Sequence, residues 1–220
     1  MSLVSDTRNK DYIEKMHKAI KKCTENNIIV ICASGNSGDL RTYYPACFPE
    51  CITVGAVDIN KKIAYFSTKN PEVDVCQVGV DVWGANVGGG YVKMSGTSMA
   101  TPIVTGIAAL IACKYKILFG KKITRSILYE SLKLNTIDVG IEGVDIATGA
   151  GLCTLNQNYN DIKIFIDSDK YLVNGKVKTM DSSPVIDDNN RTLVPIRFLA
   201  EAQNKYVEWN NDERSVTILG

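Results

Sequence analysis

The chain has 220 residues, 45% of them hydrophobic and 22% charged, with a formal net charge of +1. That length can bury a real core and suits one large and one small unit, while the near-neutral balance excludes a basic stripe for nucleic acid. Lys114 and Lys116 interrupt the longest apolar stretch, so no span of about 18 apolar residues and no membrane partner are expected.

In chain order, the first periodic segment is Tyr12 to Lys22, an amphipathic helix. His17, the only histidine, shares its polar side with lysines and is expected there as a solvated residue. Asn27 to Cys32 is an apolar run that reads as a buried strand, and Ala33-Ser34-Gly35-Asn36 ends it in a Gly-Asn turn. Further on, Ser95-Gly96-Thr97-Ser98-Met99-Ala100-Thr101-Pro102 places a serine on a glycine turn where the apolar helix Val104 to Ile111 begins, a helix expected to be buried on all sides. Ile123 to Leu134 again shows helical spacing.

The serine at this turn carries the chemistry. A hydroxyl at a helix start lies beside backbone N–H groups without intrahelical partners, whose field can stabilise an oxyanion. Read alone, Gly-Thr-Ser is a helix cap and Asn36 a turn asparagine. The longer Gly-Thr-Ser-Met-Ala-Thr-Pro run and its apolar helix closely resemble the nucleophile segment of subtilisin-like serine peptidases, with Ile103 where that family usually has histidine. The resemblance continues in order through the strand ending at Asn36, Tyr44-Pro45-Ala46, Ile52 to Asp58, Phe66-Ser67 and Val73-Asp74-Val75. Cys76-Gln77-Val78-Gly79 keeps only the glycine of the family's Ala-Pro-Gly turn, and Gly149-Ala150-Gly151-Leu152 resembles the turn before its last helix. The match covers about residues 1–157.

The resemblance implies a serine endopeptidase with Ser98 as the acylated nucleophile, and Asn36 with the Ser98 N–H as oxyanion donors. An uncharged amide suits that task because it donates without a competing charge. Thr97 and Met99 shape the turn, and Gly35 and Gly96 allow its backbone geometry. Ser2, Leu3, Gly35 and Thr97 are assigned to substrate binding, with Ser2-Leu3-Val4 as a wall to which an extended peptide adds as a strand. Relatives have glycine where Val4 stands.

A serine nucleophile needs a histidine base and an acid that orients it. The family's Asp-Gly turn and His-Gly-Thr-His helix would precede residue 1, so the chain is expected to be a truncated peptidase domain, inactive alone. Two alternatives stay open, a non-catalytic remnant acting as a binding scaffold and one half of a split peptidase. An exposed sheet edge is expected to pair with itself or with a complementing chain.

Seven cysteines (Cys23, Cys32, Cys47, Cys51, Cys76, Cys113, Cys153) form no C-x-x-C pair and read as mostly buried free thiols. They favour a reducing, cytoplasmic compartment. Cys47 and Cys51 lack partners for a metal set, and neither metal nor cofactor is expected.

Composition changes after Gln157. Ile162 to Ile166 and Tyr171-Leu172-Val173 alternate as strands do, and Asn174-Gly175 signals a hairpin. Arg191-Thr192-Leu193-Val194-Pro195-Ile196-Arg197-Phe198, the helix after it, and a closing segment around Val207-Glu208-Trp209 and Ser215 to Leu219 resemble the copper amine oxidase N-terminal-like module. Residues 158–220 hold no histidine or cysteine, so a spacer or binding unit without copper is expected, with Arg191 and Arg197 paired to acids such as Asp187 and Glu201. Relatives of this module are often at the cell surface, which leaves a secreted location open. The expected architecture is α/β: the C-terminal half of a subtilisin-like parallel sheet with flanking helices (1–157) and a small α+β module (158–220).

Overall fold

The computed structural model describes residues 1–6, 8–155, 162–173, 176–202 and 206–219. The chain divides into two compact units, Met1–Leu155 and Asn156–Gly220. The boundary expected at residue 157 and the turn Asn174-Gly175 lie outside the described residues.

In the first unit, α1 (Lys10–Glu25) begins where the Asn9 side chain accepts the Tyr12 N–H, and it presents Ile13, Met16, Ile20 and Cys23 along one face. Next come β1 (Val30–Ala33), β2 (Cys51–Val57), β3 (Val75–Val78), β4 (Val82–Ala85) and β5 (Tyr91–Met94). Helix α2 (Thr97–Phe119) and α3 (Arg125–Leu134), which the Thr124 side chain caps, precede β6 (Thr136–Ile137) and β7 (Leu152–Cys153). The main sheet has the order β1-β2-β3-β7-β6. Its β1–β2, β2–β3 and β3–β7 pairs are parallel, whereas β6 runs antiparallel to β7, so the expected parallel sheet is mixed at one edge.

Strand β2 is buried along its full length, as a strand covered on both faces must be. The two-residue period of β1 divides its side chains between those faces. Val30 and Cys32 join Ile20 and Phe48 beneath α1, while Ile31 joins Val54, Val75, Val104 and Leu132 beneath α2 and α3. Asp74 ties this layer together by accepting the Thr53 N–H at 2.7 Å and the Tyr129 hydroxyl at 2.9 Å. Where the proline turn was expected to differ, Gln77 fixes the loop by donating to the Cys153 carbonyl and accepting the Val78 N–H, each at 2.7 Å.

Helix α2 corrects one expectation. Ala100, Val104, Ile107 and Ala108 are buried, but Pro102, Ile103, Gly106, Ala109, Leu110 and Cys113 are exposed along the opposite side. The helix is apolar all round yet packs on the sheet through one face alone. By length and composition Thr97–Ile117 is also apolar enough to cross a bilayer, despite Lys114 and Lys116, a property that core helices share.

The second unit contains β8 (Ile162–Ile164), β9 (Lys170–Val173) and β10 (Lys176–Thr179) in one antiparallel sheet, the pair β11 (Val185–Ile186) and β12 (Thr192–Leu193), α4 (Ile196–Ala202), and the pair β13 (Tyr206–Asn210) and β14 (Ser215–Leu219). Its core gathers Tyr171, Val173, Met180, Phe198 and Ala202, with Phe198 edge-on to Tyr171 at 4.6 Å. Arg191 pairs with Asp187 at 2.7 Å, while no ion pair joins Arg197 to Glu201 among the described residues.

Candidate active site

The site is built where three chain segments meet: the start of α2, the turn after β1, and the first residues of the chain. Gly96 bonds back to the Gly79 carbonyl at 2.7 Å and turns the chain into α2, which makes Ser98 the second helical residue. Its N–H is therefore among the donors without an intrahelical partner. A Cβ on Gly96 would lie 3.2 Å from the Asn36 amide nitrogen, so a larger residue here would crowd Asn36.

Asn36 is held through its oxygen. Its Oδ1 accepts the Thr97 N–H at 2.8 Å and the Thr97 hydroxyl at 2.9 Å. With both acceptor positions used on Thr97, the amide NH2 is left to donate elsewhere, and among the described residues it makes no hydrogen bond. Thr97 is buried, and its hydroxyl also accepts the Gly35 N–H at 3.3 Å. Gly35 has φ +114°, and a Cβ there would press on the Tyr43 ring at 2.7 Å and on Thr68 Oγ1 at 2.8 Å. Gly35, Asn36, Gly96, Thr97 and Ser98 are thus brought together by direct contacts spanning some sixty residues of sequence.

Ser98 itself is half-buried, and its hydroxyl donates to the Ser2 carbonyl at 3.0 Å. That oxygen is no base, and among the described residues no hydrogen bond joins the hydroxyl to a histidine or carboxylate. Ser2 comes into the site because the Met1 amine and carbonyl bond along β1, to the Ile31 carbonyl and the Ala33 N–H, and because Ser5 bridges Tyr44. Leu3 is exposed beside it.

His17 departs from its expected setting. It is half-buried, stacks on Phe48 with ring centroids 4.3 Å apart, and pairs through Nε2 with Glu50 at 2.9 Å. Burial alone would raise the Glu50 carboxyl, but the hydrogen bond from His17 and the charges of His17 and Lys21 hold it below its ordinary range. The histidine packs on the loop before β2 and makes no contact with Ser98.

A cleft of about 350 Å³ opens beside Ser98, lined by Val82, Trp83, Gly84, Met94, Met99, Pro102 and Ile103. Sequence reading missed β4 and β5, which form its outer wall. Their signal was present as alternating residues on either side of the Gly88-Gly89-Gly90 tip.

The cysteines are all free. Cys32, Cys51, Cys76 and Cys153 are buried, and burial pushes the Cys153 thiol up to about 12. Cys23 and Cys47 are half-buried and Cys113 is exposed. Among the described residues no three His, Cys, Asp or Glu side chains converge on a metal position. The second unit, without imidazole or thiolate, does not fit copper.

Comparison with known proteins places this geometry. Residues 1–151 match the model of the subtilase family, and residues 143–218 match that of the copper amine oxidase N-terminal domain. The chain is 41% identical over 133 residues to an intracellular serine protease of Paenibacillus polymyxa, covering 58% of this chain and 41% of that protein. It is 34% identical over 134 residues to the major intracellular serine protease of Bacillus subtilis, covering 59% of this chain and 42% of that one. Among solved structures, the prenylagaramide maturation protease PagA superposes with a TM-score of 0.59 at 31% identity, covering 70% of this chain and 57% of that one. A lanthipeptide protease superposes with a TM-score of 0.62 over the same shares at 20% identity, a likeness of fold. The chain thus spans about two fifths of the length of the curated relatives it matches.

Proposed function

The chain belongs to the subtilase family, and from that premise we propose that it carries the nucleophile and oxyanion-binding part of a serine endopeptidase site acting on peptides or proteins. The observation that carries this reading is the clamp of Asn36 Oδ1 by both donors of Thr97, because it aims an uncharged amide donor at the space beside Ser98. In the proposed reaction Ser98 Oγ attacks the scissile carbonyl, and the oxygen that becomes negative is held by Asn36 Nδ2 and the Ser98 N–H. Collapse expels the amine and leaves an acyl-enzyme, which water then cleaves.

Proton transfer is assigned to a histidine and an aspartate that this 220-residue chain does not contain, supplied by more of the same polypeptide or by a second one. What supports this is the engagement of His17 with Glu50 and Phe48, and of Ser98 with a carbonyl. The first residues of the chain, where Met1 bonds along the outer edge of β1, form the edge of the main sheet at which a complementing segment or a second copy would pair. Ser2, Leu3, Gly35 and Thr97 remain assigned to the substrate side of the site, with Ser2 and Leu3 beside the nucleophile as a wall for an extended peptide. Residues 158–220 are assigned to a separate spacer or binding module.

The test is intact-mass analysis after treatment with a fluorophosphonate probe, which labels an activated serine. The chain alone is expected to remain unlabelled. With a polypeptide supplying the missing Asp and His, a single adduct is expected, absent in Ser98→Ala. No adduct in the complemented protein sinks the nucleophile assignment and favours a non-catalytic scaffold. An adduct on the chain alone, lost in Ser98→Ala, overturns the assignment of the base.

A further inference from the structure

We propose that the corner formed by the end of α2 and the turn after it is a docking surface for an anionic lipid bilayer. With 23 residues, α2 is about 35 Å long. Its first half lies on the sheet, but its last turn carries Ile117 at 82% and Phe119 at 60% exposure. The Phe119 ring rests against Tyr115, with centroids 4.7 Å apart, so the apolar tip has a defined shape.

Lysines flank this tip on both sides. Lys116 precedes it, and Lys121 and Lys122 follow the left-handed Gly120 that ends the helix. From Val82 to Tyr129 the sequence has no acidic residue. Arg125 is not part of this charge, because its guanidinium is spent on the carbonyls of Pro49, Glu50 and Cys51. Asn27 donates to the Ile123 carbonyl at 3.0 Å and brings the end of α1, with Lys22 and Glu25, to the same corner, while Lys21 on the preceding turn faces Glu50.

Exposed apolar side chains ringed by lysines suit an interface that is apolar a few ångströms below an anionic surface. Ile117 and Phe119 would enter the headgroup boundary, while the lysine stems lie along it and keep their ammonium groups at the phosphates. A nucleic acid would engage the lysines but leave Ile117 and Phe119 in water, so charge and apolar surface together favour the bilayer. Each lysine brought to an anionic leaflet strengthens binding by about fivefold.

The experiment is co-sedimentation of the 220-residue chain with phosphatidylcholine vesicles with and without phosphatidylglycerol. Binding is expected only with phosphatidylglycerol, weakened roughly 25-fold in Lys121→Gln/Lys122→Gln and weakened again in Phe119→Ser. These substitutions lie on the surface, and circular dichroism checks that each variant stays folded. Quenching by brominated lipid in Phe119→Trp, measured against the parent chain, reports insertion separately. No binding to the anionic vesicles, or binding that neither variant changes, overturns the proposal. Retention on heparin unaffected by Phe119→Ser, with no vesicle binding, also overturns it and assigns the lysines to an anionic polymer.

Discussion

Thr97→Val tests the idea that one buried hydroxyl organises the oxyanion side of the site. Valine keeps the shape of threonine but removes an oxygen that donates to Asn36 Oδ1 at 2.9 Å and accepts the Gly35 N–H at 3.3 Å. Losing the bond to Asn36 costs about 1 kcal/mol, and leaving the buried Gly35 N–H without its acceptor costs about 1–3 kcal/mol, so the first unit should lose about 2–4 kcal/mol. The assay is urea unfolding in a Trp209→Phe background, where Trp83 alone reports the first unit and the second is silent. Thr97→Ser, which retains the hydroxyl, should stay within about 1 kcal/mol of the parent. If Thr97→Val is no more costly than Thr97→Ser, the clamp on Asn36 is not what holds this turn.

Two further outcomes are expected. Phe198→Ala removes the ring packed on Tyr171 and should cost about 3–5 kcal/mol, most of what a unit of some sixty residues possesses. The transition reported by Trp209 should collapse while that of Trp83 stays in place, and a joint shift would mean that the chain unfolds as one unit. Burial raises the Asp74 carboxyl above its ordinary value, even though bonds from Thr53 and Tyr129 and the charges of Arg125 and Lys133 oppose this. The folded state therefore binds the proton more tightly than the unfolded state, and the contribution of Asp74 to stability falls as pH rises through the window from the ordinary carboxylate value to the raised one. Urea midpoints measured across that window should lack this component in Asp74→Asn, and an unchanged pH slope in the variant would refute the assignment.

Much of the site was legible because its determinants are short strings. The turn at Gly96, the helix after Ser98 and the apolar strand leading to Asn36 depend on neighbours in sequence, so glycine placement and apolar runs announce them. The family resemblance then supplied what spacing could not, the roles proposed for Ser98 and Asn36. The hairpin of β4 and β5 was overlooked although its pattern was present, because its strands are short and half-exposed.

Other features are decided by residues far apart in the chain. A polar position on an amphipathic helix predicts solvent for His17, but Phe48 and Glu50 arrive from a loop some thirty residues away and cover it. The composition of α2 predicts burial on every side, yet the sheet offers it one face. Nothing near Ser98 in sequence foretells that the Ser2 carbonyl will receive its hydroxyl across 96 residues. By itself the sequence determined most of the elements, the turn chemistry and, through its motifs, the family, since local propensity, side-chain period and short strings suffice for these. Only the tertiary structure decided which faces are covered and which donors meet which acceptors, because burial and hydrogen bonding depend on where distant segments come to rest.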